Sequence, residues 1–248
     1  MRRSLAVPLL AAGALAFLAA PAGARTQPPV AAHTNASAIT VSSTGCPPAF
    51  PDLRTRAHSE VVRRETTLDD LSTRLSAAQD PWRINGGLLN ALAGAKTTLT
   101  ALDQHIQTTC YPTREALRSD VGTIFTVYRI YWLRVPQAHL VEEADHLGMA
   151  RGKLQNVEQT LAGLVGSNSR AQADLTAMRT ALTAFDTTLG TVPNVTTHLA
   201  SVAQLAPAAD MTSNVAVMQA ARGDLRSARQ SLGQASADAH KVIKDLGL

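Results

Sequence analysis

Aromatic residues are scarce in this 248-residue chain, where phenylalanine, tryptophan and tyrosine together make up 4% of the sequence. Four of these aromatic residues fall in one stretch, residues 124–136, which reads IFTVYRIYWLRVP. Alanine is abundant on either side of it, and small side chains allow helices to pack closely. The composition therefore favours closely packed helices, and we expect the aromatic stretch to form the widest layer of their core.

Motifs for catalysis and for cofactor binding are also missing from the sequence. It has no Gly-x-Ser-x-Gly elbow, no glycine-rich phosphate loop after a strand and no His-Glu-x-x-His pair. These are the signatures of nucleophilic, nucleotide-binding and zinc chemistry. Covalent haem attachment needs Cys-x-x-Cys-His, which two distant cysteines do not supply. We therefore predict a protein that is not an enzyme and that carries no cofactor.

Long apolar runs are confined to the N-terminus. Arg2 and Arg3 precede an apolar segment at residues 5–20, and Ala-Gly-Ala at residues 22–24 follows as a small-residue cleavage site. This order is typical of secretory signal peptides. A single-pass anchor is the competing interpretation, but the run is shorter than the ~20 residues that a span needs. Residues 1–24 are predicted to be a signal peptide, and the mature chain is predicted to be secreted, extracellular or cell-wall associated, with no transmembrane segment.

An excess of charge of one sign is also lacking. Loss of Arg2 and Arg3 with the signal peptide lowers the basic count from 23 to 21 against 19 acids, so the net charge falls from +4 to +2. No stripe of basic residues typical of nucleic-acid binding is visible. The expected partners are instead cell-wall polymers or another envelope protein.

Cysteine occurs only at Cys46 and Cys110. In an exported protein, an even number of cysteines indicates a disulfide rather than a catalytic thiol or a metal ligand. The two cysteines flank the first two predicted helices, and an antiparallel pair of helices brings those ends together. We predict a Cys46–Cys110 disulfide, while free or intermolecular thiols remain the alternative.

The hydrophobic periodicity predicts an all-α fold. Apolar residues recur at steps of three and four from Pro51 onward, whereas strands alternate every second residue. We predict an elongated antiparallel bundle of about five long helices at residues 50–248, after a flexible lead-in at residues 25–49 that is rich in Pro, Ala, Thr and Ser. The third helix is expected to run from Thr113 to about residue 165 with a kink at Pro136. A strand in the aromatic stretch would have no partner for its backbone N–H and C=O groups, so we predict that this stretch is helical.

Two further helices are predicted after that long one. A fourth helix begins at Ser169, where a capping-box pattern occurs, and Pro193 interrupts it before a further helical stretch. The last helix covers about residues 214–246, and its leucine and alanine rows repeat every seven residues, which predicts coiled-coil-like packing. Its outer face is interpreted as a solvated, mixed-charge surface. That face carries Arg222, Arg226, Arg229, Lys241 and Lys244 among Asp224, Asp238 and Asp245.

Two sets of side chains are weighed as candidate sites. His139, Glu143 and His146 share one helical face at i, i+4 and i+7, which is compatible with a single surface metal site; a polar face without metal is the favoured interpretation. The second set, Tyr128, Tyr131, Trp132 and His139, could capture an apolar or haem-like ligand. A stripe of aromatic residues at helical spacing is more often core, and core is the favoured interpretation of this set.

One part of the chain resembles a known group of proteins. Residues 120–147 (DVGTIFTVYRIYWLRVPQAHLVEEADHL) are similar to a D-x5-DYRVY-x-L-x-x-P pattern in uncharacterised exported, alanine-rich helical proteins of high-GC Gram-positive bacteria, and residues 220–246 resemble the final helix of that group. This chain departs from the pattern at Val127, where an acidic residue is typical, and in having Trp132 and two cysteines. The resemblance implies export and a helical architecture, and it implies no activity and no functional residues.

These observations lead to two functional hypotheses of different classes. The first is a secreted or cell-wall-associated, non-enzymatic structural or interaction protein of unspecified role, which uses its exposed helical faces. The alternative is an extracellular carrier of a small apolar or haem-like ligand at the aromatic cluster near Pro136. A carrier needs Tyr128, Tyr131 and Trp132 to line a cavity, whereas a scaffold needs them close-packed.

Export and the disulfide are tested together by the mass of the natural protein. We expect mass spectrometry of the protein recovered from culture medium to give the mass of residues 25–248 less two hydrogens, and treatment with a reductant to restore those hydrogens. Retention of residues 1–24 would contradict cleavage. A mass that reduction leaves unchanged would contradict the Cys46–Cys110 bond.

Overall fold

The computed structural model describes residues 49–207 and 210–248. The predicted signal peptide, Cys46 and all but the last residue of the predicted lead-in therefore lie outside the described residues. The described chain is predominantly helical, which confirms the all-α prediction. Its elements are α1 Pro51–Ala77, α2 Asn85–Thr108, α3 Arg114–Thr126, a π-helix Ile130–Arg134, α4 Val135–Ala162, α5 Ser169–Leu189, β1 Gly190–Thr191, β2 Asn194–Val195, α6 Thr197–Gln204 and α7 Met211–Leu246.

The turn between α1 and α2 is organised by Asp80. Helix α1 ends at Ala77, shortly before Asp80-Pro81, as expected from the effect of proline on the preceding residue. The Asp80 carboxylate accepts hydrogen bonds from the backbone N–H groups of Ile84 at 3.0 Å and Asn85 at 3.1 Å. These donors lie at the start of α2, where the helix itself supplies no acceptor, so Asp80 stabilises the beginning of α2.

Helices α1 and α2 run antiparallel, as the sequence predicts. Asp69 accepts from Lys96 at 2.7 Å, and Asp103 lies 2.7 Å from His58, so the order of contacts along one helix is reversed along the other. The apolar residues that recur at steps of three and four in both helices form their buried faces, as the periodicity predicts. Their buried members are Ala57, Val61, Leu68, Leu71 and Leu75 in α1 and Leu88, Leu92, Leu99 and Ile106 in α2.

The third predicted helix is interrupted earlier than expected. The break lies between α3 and the π-helix, where Arg129 has a left-handed backbone with φ of 47°. Pro136 lies in the first turn of α4, directly after the π-helix and seven residues beyond the break at Arg129. The stretch TIFTVYRIYW is rich in β-branched and aromatic residues, which are weaker helix formers than alanine or leucine. The helix is therefore interrupted within this stretch.

The aromatic stretch does not form the widest layer of the core, and that prediction is wrong. Trp132 is 72% exposed, Phe125 is 48% exposed and Tyr131 is 39% exposed. The other tryptophan, Trp82, is only 2% exposed and lies in the turn between α1 and α2. The change of backbone geometry at the π-helix explains the difference, because helical periodicity no longer predicts which faces of this stretch are buried.

Helices α4 and α5 run antiparallel. Arg151 forms an ion pair with Asp186 at 2.5 Å, and Glu158 forms one with Arg179 at 2.6 Å. Helix α5 begins after Asn168, whose side chain accepts from the backbone N–H groups of the first turn. Helix α5 begins at Ser169, as predicted, and its N-cap is Asn168.

Helix α7 packs on both α4 and α5. The Asn168 side chain before α5 donates to the carbonyl of Asp245 near the end of α7 at 2.9 Å, so α5 and α7 are antiparallel. Helix α7 begins at Met211, three residues earlier than predicted. The prediction that Asp238 lies on the outer face is wrong, because Asp238 is buried and accepts from Lys241 at 2.7 Å. The predicted seam of α7 is buried at Ala221, Leu225, Ala228, Leu232, Ala235, Ala239 and Val242.

The predicted interruption at Pro193 takes the form of a small hairpin. Strands β1 and β2 pair antiparallel on either side of it, with Gly190 opposite Val195. The helical stretch expected beyond Pro193 is confirmed as α6, which buries Leu199 and Val202.

Trp82 links the α1–α2 turn to α4 and α5. Its indole N–H donates to the carbonyl of Ala144 at 2.9 Å, and its ring centroid lies 6.5 Å from that of Phe185. Gly148, one turn after Ala144, leaves room for the indole, since a Cβ at that position would lie 2.9 Å from the indole nitrogen. The close approach of the indole to α4 therefore requires glycine at position 148.

We expect Gly148→Ala to lower the free energy of unfolding by about 1–3 kcal/mol, because the added methyl overpacks a filled contact with Trp82. Gly152→Ala, one turn further along α4, is the matched control, since a Cβ there meets nothing within 4 Å. Alanine is the better helix former, so the control should gain about 0.5–1 kcal/mol. Urea unfolding of both variants measures the difference, and equal values would contradict the packing argument.

Candidate functional site

The predicted ligand-binding aromatic residues face different neighbours. The Tyr128 hydroxyl donates to the carbonyl of Thr98 in α2 at 3.2 Å. The Tyr131 ring lies under the guanidinium of Arg64 in α1, with 5.1 Å from the guanidinium carbon to the ring centroid. Trp132 is mostly exposed. The described structure shows no aromatic cluster at this place, so it gives no support to the carrier alternative, which stays a prediction.

The aromatic stretch instead covers a buried arginine. Arg64, which lies on the buried face of α1 between Val61 and Leu68, is 3% exposed and forms an ion pair with Glu60. Its guanidinium carbon lies 4.6 Å from the ring centroid of Phe125 and 5.1 Å from that of Tyr131. Such cation–π contacts offset part of the loss of hydration. The two half-exposed rings therefore have a structural role on α1.

Two of the three candidate metal ligands contact side chains of other helices. His139 Nδ1 lies 3.3 Å from an Arg74 guanidinium nitrogen. Glu143 forms an ion pair with Arg229 at 2.5 Å, and His146 is exposed. Within residues 49–207 and 210–248, no group of three His, Cys, Asp or Glu side chains is placed to hold a metal ion. The three candidates are not assembled into a ligand set.

The predicted disulfide lies partly outside the described residues, because it includes Cys46. Cys110 follows the end of α2. Arg54 in α1 donates to the carbonyl of Ala49 at 3.0 Å and to that of Thr109 at 2.6 Å, which holds the start of the described chain against the end of α2. Cys46 is three residues before Ala49, a separation that an extended chain covers in ~10 Å. The pairing stays a prediction that this geometry favours.

A buried polar pair lies beside Trp82. Asp145 in α4 is 1% exposed and Asn85 in α2 is 3% exposed, and the Asn85 amide donates to one Asp145 carboxylate oxygen at 2.9 Å. The Oδ1 atoms of both side chains have no hydrogen-bond partner among the described residues. An unpaired buried carboxylate oxygen is costly when the group is charged. This pair therefore favours a protonated Asp145.

Burial raises the pKa of Asp145 to about 7, and the nearby carboxylates of Asp80 and Glu142 also raise it, while the hydrogen bond from Asn85 acts in the opposite direction. A carboxyl group with this pKa changes charge near neutral pH, although an ordinary aspartate is fully ionised there. Nothing on the described surface gives Asp145 access to a substrate, because its side chain is enclosed between helices. Its effect is therefore on stability.

An open groove on the α4–α7 face combines cationic walls with an apolar floor. It has a volume of about 420 Å³, within the range of small-ligand sites. Arg229 and Glu143 form its one ion pair across the two helices. The residues lining the groove are Val135, Pro136, His139, Leu140, Glu143, Arg222, Arg226 and Arg229.

Two of the groove arginines differ from most charged residues around them. Arg222 and Arg226 are exposed, and neither has a carboxylate within ion-pair distance in the described part of the chain. Nearby acids already have partners, since Glu142 binds Arg74 at 2.6 Å and Asp224 lies 2.9 Å from His198. The groove is therefore locally cationic.

Sequence reasoning missed this groove, although a signal was present. Arg222, Arg226 and Arg229 are spaced i, i+4 and i+7, which places them on one face of a helix. Asp224 and Asp238 led to the interpretation of a mixed-charge face, but in the structure Asp238 is buried and Asp224 is directed to α6. The position of α4 against α7 could not be read from the sequence.

Comparison of the chain with protein-family models, with curated proteins and with solved structures found no match. The resemblance to exported alanine-rich proteins therefore stays a prediction. Among the described residues, none of the helices combines the length and the apolarity needed to cross a bilayer.

The raised pKa of Asp145 predicts a loss of stability as the pH rises. Between the unfolded pKa near 3.8 and the folded pKa of about 7, the folded state holds one more proton than the unfolded state. The free energy of unfolding therefore falls with pH, by up to ~1.4 kcal/mol per unit from this group. Asp145→Asn removes the charge and should be more stable than the wild type above pH 7.

Urea unfolding at pH 5, 6, 7 and 8 measures this difference, and the histidines cancel because both proteins contain them. Asp70→Asn, on the exposed face of α1, is the control and should keep the pH slope of the wild type. An Asp145→Asn variant with the same pH slope as the wild type would show that Asp145 is already ionised at pH 5.

Proposed function

We propose that the protein is a secreted or cell-wall-associated, non-enzymatic structural or interaction protein. In this proposal the described helices form an antiparallel bundle with coiled-coil-like packing. Cell-wall polymers or another envelope protein are its partners, and its exposed helical faces are the binding surface. The proposal is supported above all by one observation, the use of charged side chains to join neighbouring helices.

Ion pairs connect most of the helices that pack together. Surface ion pairs contribute only about 0–1 kcal/mol each, so their main effect is to fix the register of one helix against the next. A chain that commits its charges in this way has the properties of a scaffold. The arginine and lysine pairs are Asp69–Lys96 between α1 and α2, Arg74–Glu142 between α1 and α4, Arg151–Asp186 and Glu158–Arg179 between α4 and α5, and Glu143–Arg229 between α4 and α7. Histidine–aspartate contacts, which are ion pairs when the histidine is protonated, are His58–Asp103 between α1 and α2, His105–Asp120 between α2 and α3, and His198–Asp224 between α6 and α7.

The small residues of α7 support close packing of its helical neighbours. Ala221, Ala228 and Ala235 recur every seven residues and are completely buried. Alanine on one row of a heptad seam allows the helix axes to approach toward the lower end of the usual 8–10 Å separation. The seven-residue repeat of buried alanines therefore supports coiled-coil-like packing of α7.

The predicted disulfide fits the same proposal. A Cys46–Cys110 bond would close a loop of about 65 residues around α1 and α2, which the loop-entropy model values at roughly 4 kcal/mol. Such a bond forms in an oxidising compartment, consistent with export. It would hold the ends that Arg54 already brings together through Ala49 and Thr109.

The proposal is tested by locating the natural protein and by measuring its binding to envelopes. We expect antibody detection to find it in the culture medium and in the wall fraction. We also expect the purified mature protein to sediment with isolated envelopes in a saturable manner, and less after the protein has been denatured by heat and reduction. Confinement to the cytoplasmic fraction, or equal sedimentation of native and denatured protein, would contradict the proposal.

A further inference from the structure

We infer that the groove between α4 and α7 binds a phosphate ester, with Arg222 and Arg226 holding the phosphate group. This inference rests on the proposed function, because it assigns a ligand class to one exposed helical face. It starts from the two arginines that have no carboxylate partner among the described residues, on a surface where most neighbouring charges are paired.

The spacing of the arginines suits one anionic group. Arg222 and Arg226 are one helical turn apart on α7, so their side chains leave neighbouring positions on the same face. A carboxylate has a single charge, so it neutralises only one of two neighbouring guanidiniums even where it accepts from both, as Glu60 does from Arg63 and Arg64. A phosphate has up to two charges and three free oxygens, and it can therefore accept from both forks at once. The number of unpaired guanidiniums thus favours phosphate.

The floor of the groove indicates what the phosphate is attached to. Val135, Pro136 and Leu140 line it beside the arginines. Free phosphate makes no use of an apolar floor, whereas the carbon skeleton of an ester can cover it and gain about 25 cal/mol per Å² of apolar surface removed from water. We therefore expect an ester with a carbon skeleton to bind more tightly than the inorganic ion.

Glu143 limits the positive charge of the groove. Its carboxylate holds Arg229, the third arginine of the row, at 2.5 Å. Removing this negative charge would release Arg229 toward the ligand and also remove a repulsion. A variant at position 143 is therefore expected to strengthen binding, an effect that a purely structural ion pair would not produce.

Isothermal titration of the purified mature protein tests the inference with defined probes. We use inorganic phosphate, butyl phosphate, dibutyl phosphate and butyrate at constant ionic strength, since exposed charges are screened by salt. Butyl phosphate should bind with a stoichiometry of one, more tightly than inorganic phosphate and butyrate. Dibutyl phosphate has one charge and two free oxygens, so it should bind more weakly than butyl phosphate; equal affinity of the two esters would contradict the assignment of a phosphate monoester to the two arginines.

Substitutions locate the site. Arg222→Gln with Arg226→Gln should weaken butyl phosphate binding by about tenfold or more, because hydrogen bonds to charged groups are lost. Arg114→Gln with Arg170→Gln removes the same charge from exposed positions in α3 and α5 and should change the affinity less than about twofold. Glu143→Gln should tighten binding by about threefold or more, as expected for a surface charge pair.

The inference would be overturned if the two double variants lost the same affinity for butyl phosphate, or if the wild type bound none of the phosphate probes. Unfolding is monitored by circular dichroism, and Arg222 and Arg226 are exposed, so the fold should be kept. Failure of this titration leaves localisation and envelope sedimentation unaffected. Conversely, phosphate binding by a protein confined to the cytoplasm would contradict the proposed function but support the inferred phosphate site.

Discussion

The contact of Trp82 with α4 is the constraint on which the arrangement of the described helices depends. Trp82 lies in the turn that joins α1 to α2, and it bonds the Ala144 carbonyl while its ring approaches Phe185 of α5. One side chain thus connects the first two helices to two later ones, and Gly148 is the residue that permits the approach. The same contact places Asn85, at the start of α2, against Asp145 of α4. The buried polar pair is therefore a consequence of this contact.

The all-α class and the positions of most helices could be predicted from the sequence, because they depend on local periodicity. The seams of α1, α2 and α7 are buried where the apolar spacing places them. The aromatic stretch could not be predicted in the same way. Its π-helix and the left-handed Arg129 change the relation between residue number and helical face. Trp132 is exposed as a result, although its spacing indicated core.

The candidate site depends on contacts between distant segments, and these were largely hidden from sequence reasoning. His139 and Glu143 were considered together because they share a helical face, yet each is directed to a different helix, toward Arg74 and Arg229 respectively. Asp145 lies two residues after Glu143 in the same helix, and no sequence pattern distinguishes it. Its burial arises only because Trp82 and the start of α2 cover it. Local pattern predicts which residues are neighbours on one helix and does not predict what packs on them.

Charge has two different uses on this molecule, and the difference follows from geometry. Most acidic and basic side chains near helix contacts face a partner on the next helix, as Arg151 faces Asp186. On α7 this matching with α4 is present at Arg229, which pairs with Glu143, and is missing one and two turns earlier, where Val135 and Pro136 of α4 line the groove with Arg222 and Arg226. Arg222 and Arg226 lie one turn apart and are exposed, so an anion that binds them must replace the water around their guanidiniums. Within the described residues, the α4–α7 groove is thus a place where cationic side chains without an ion-pair partner lie beside apolar ones.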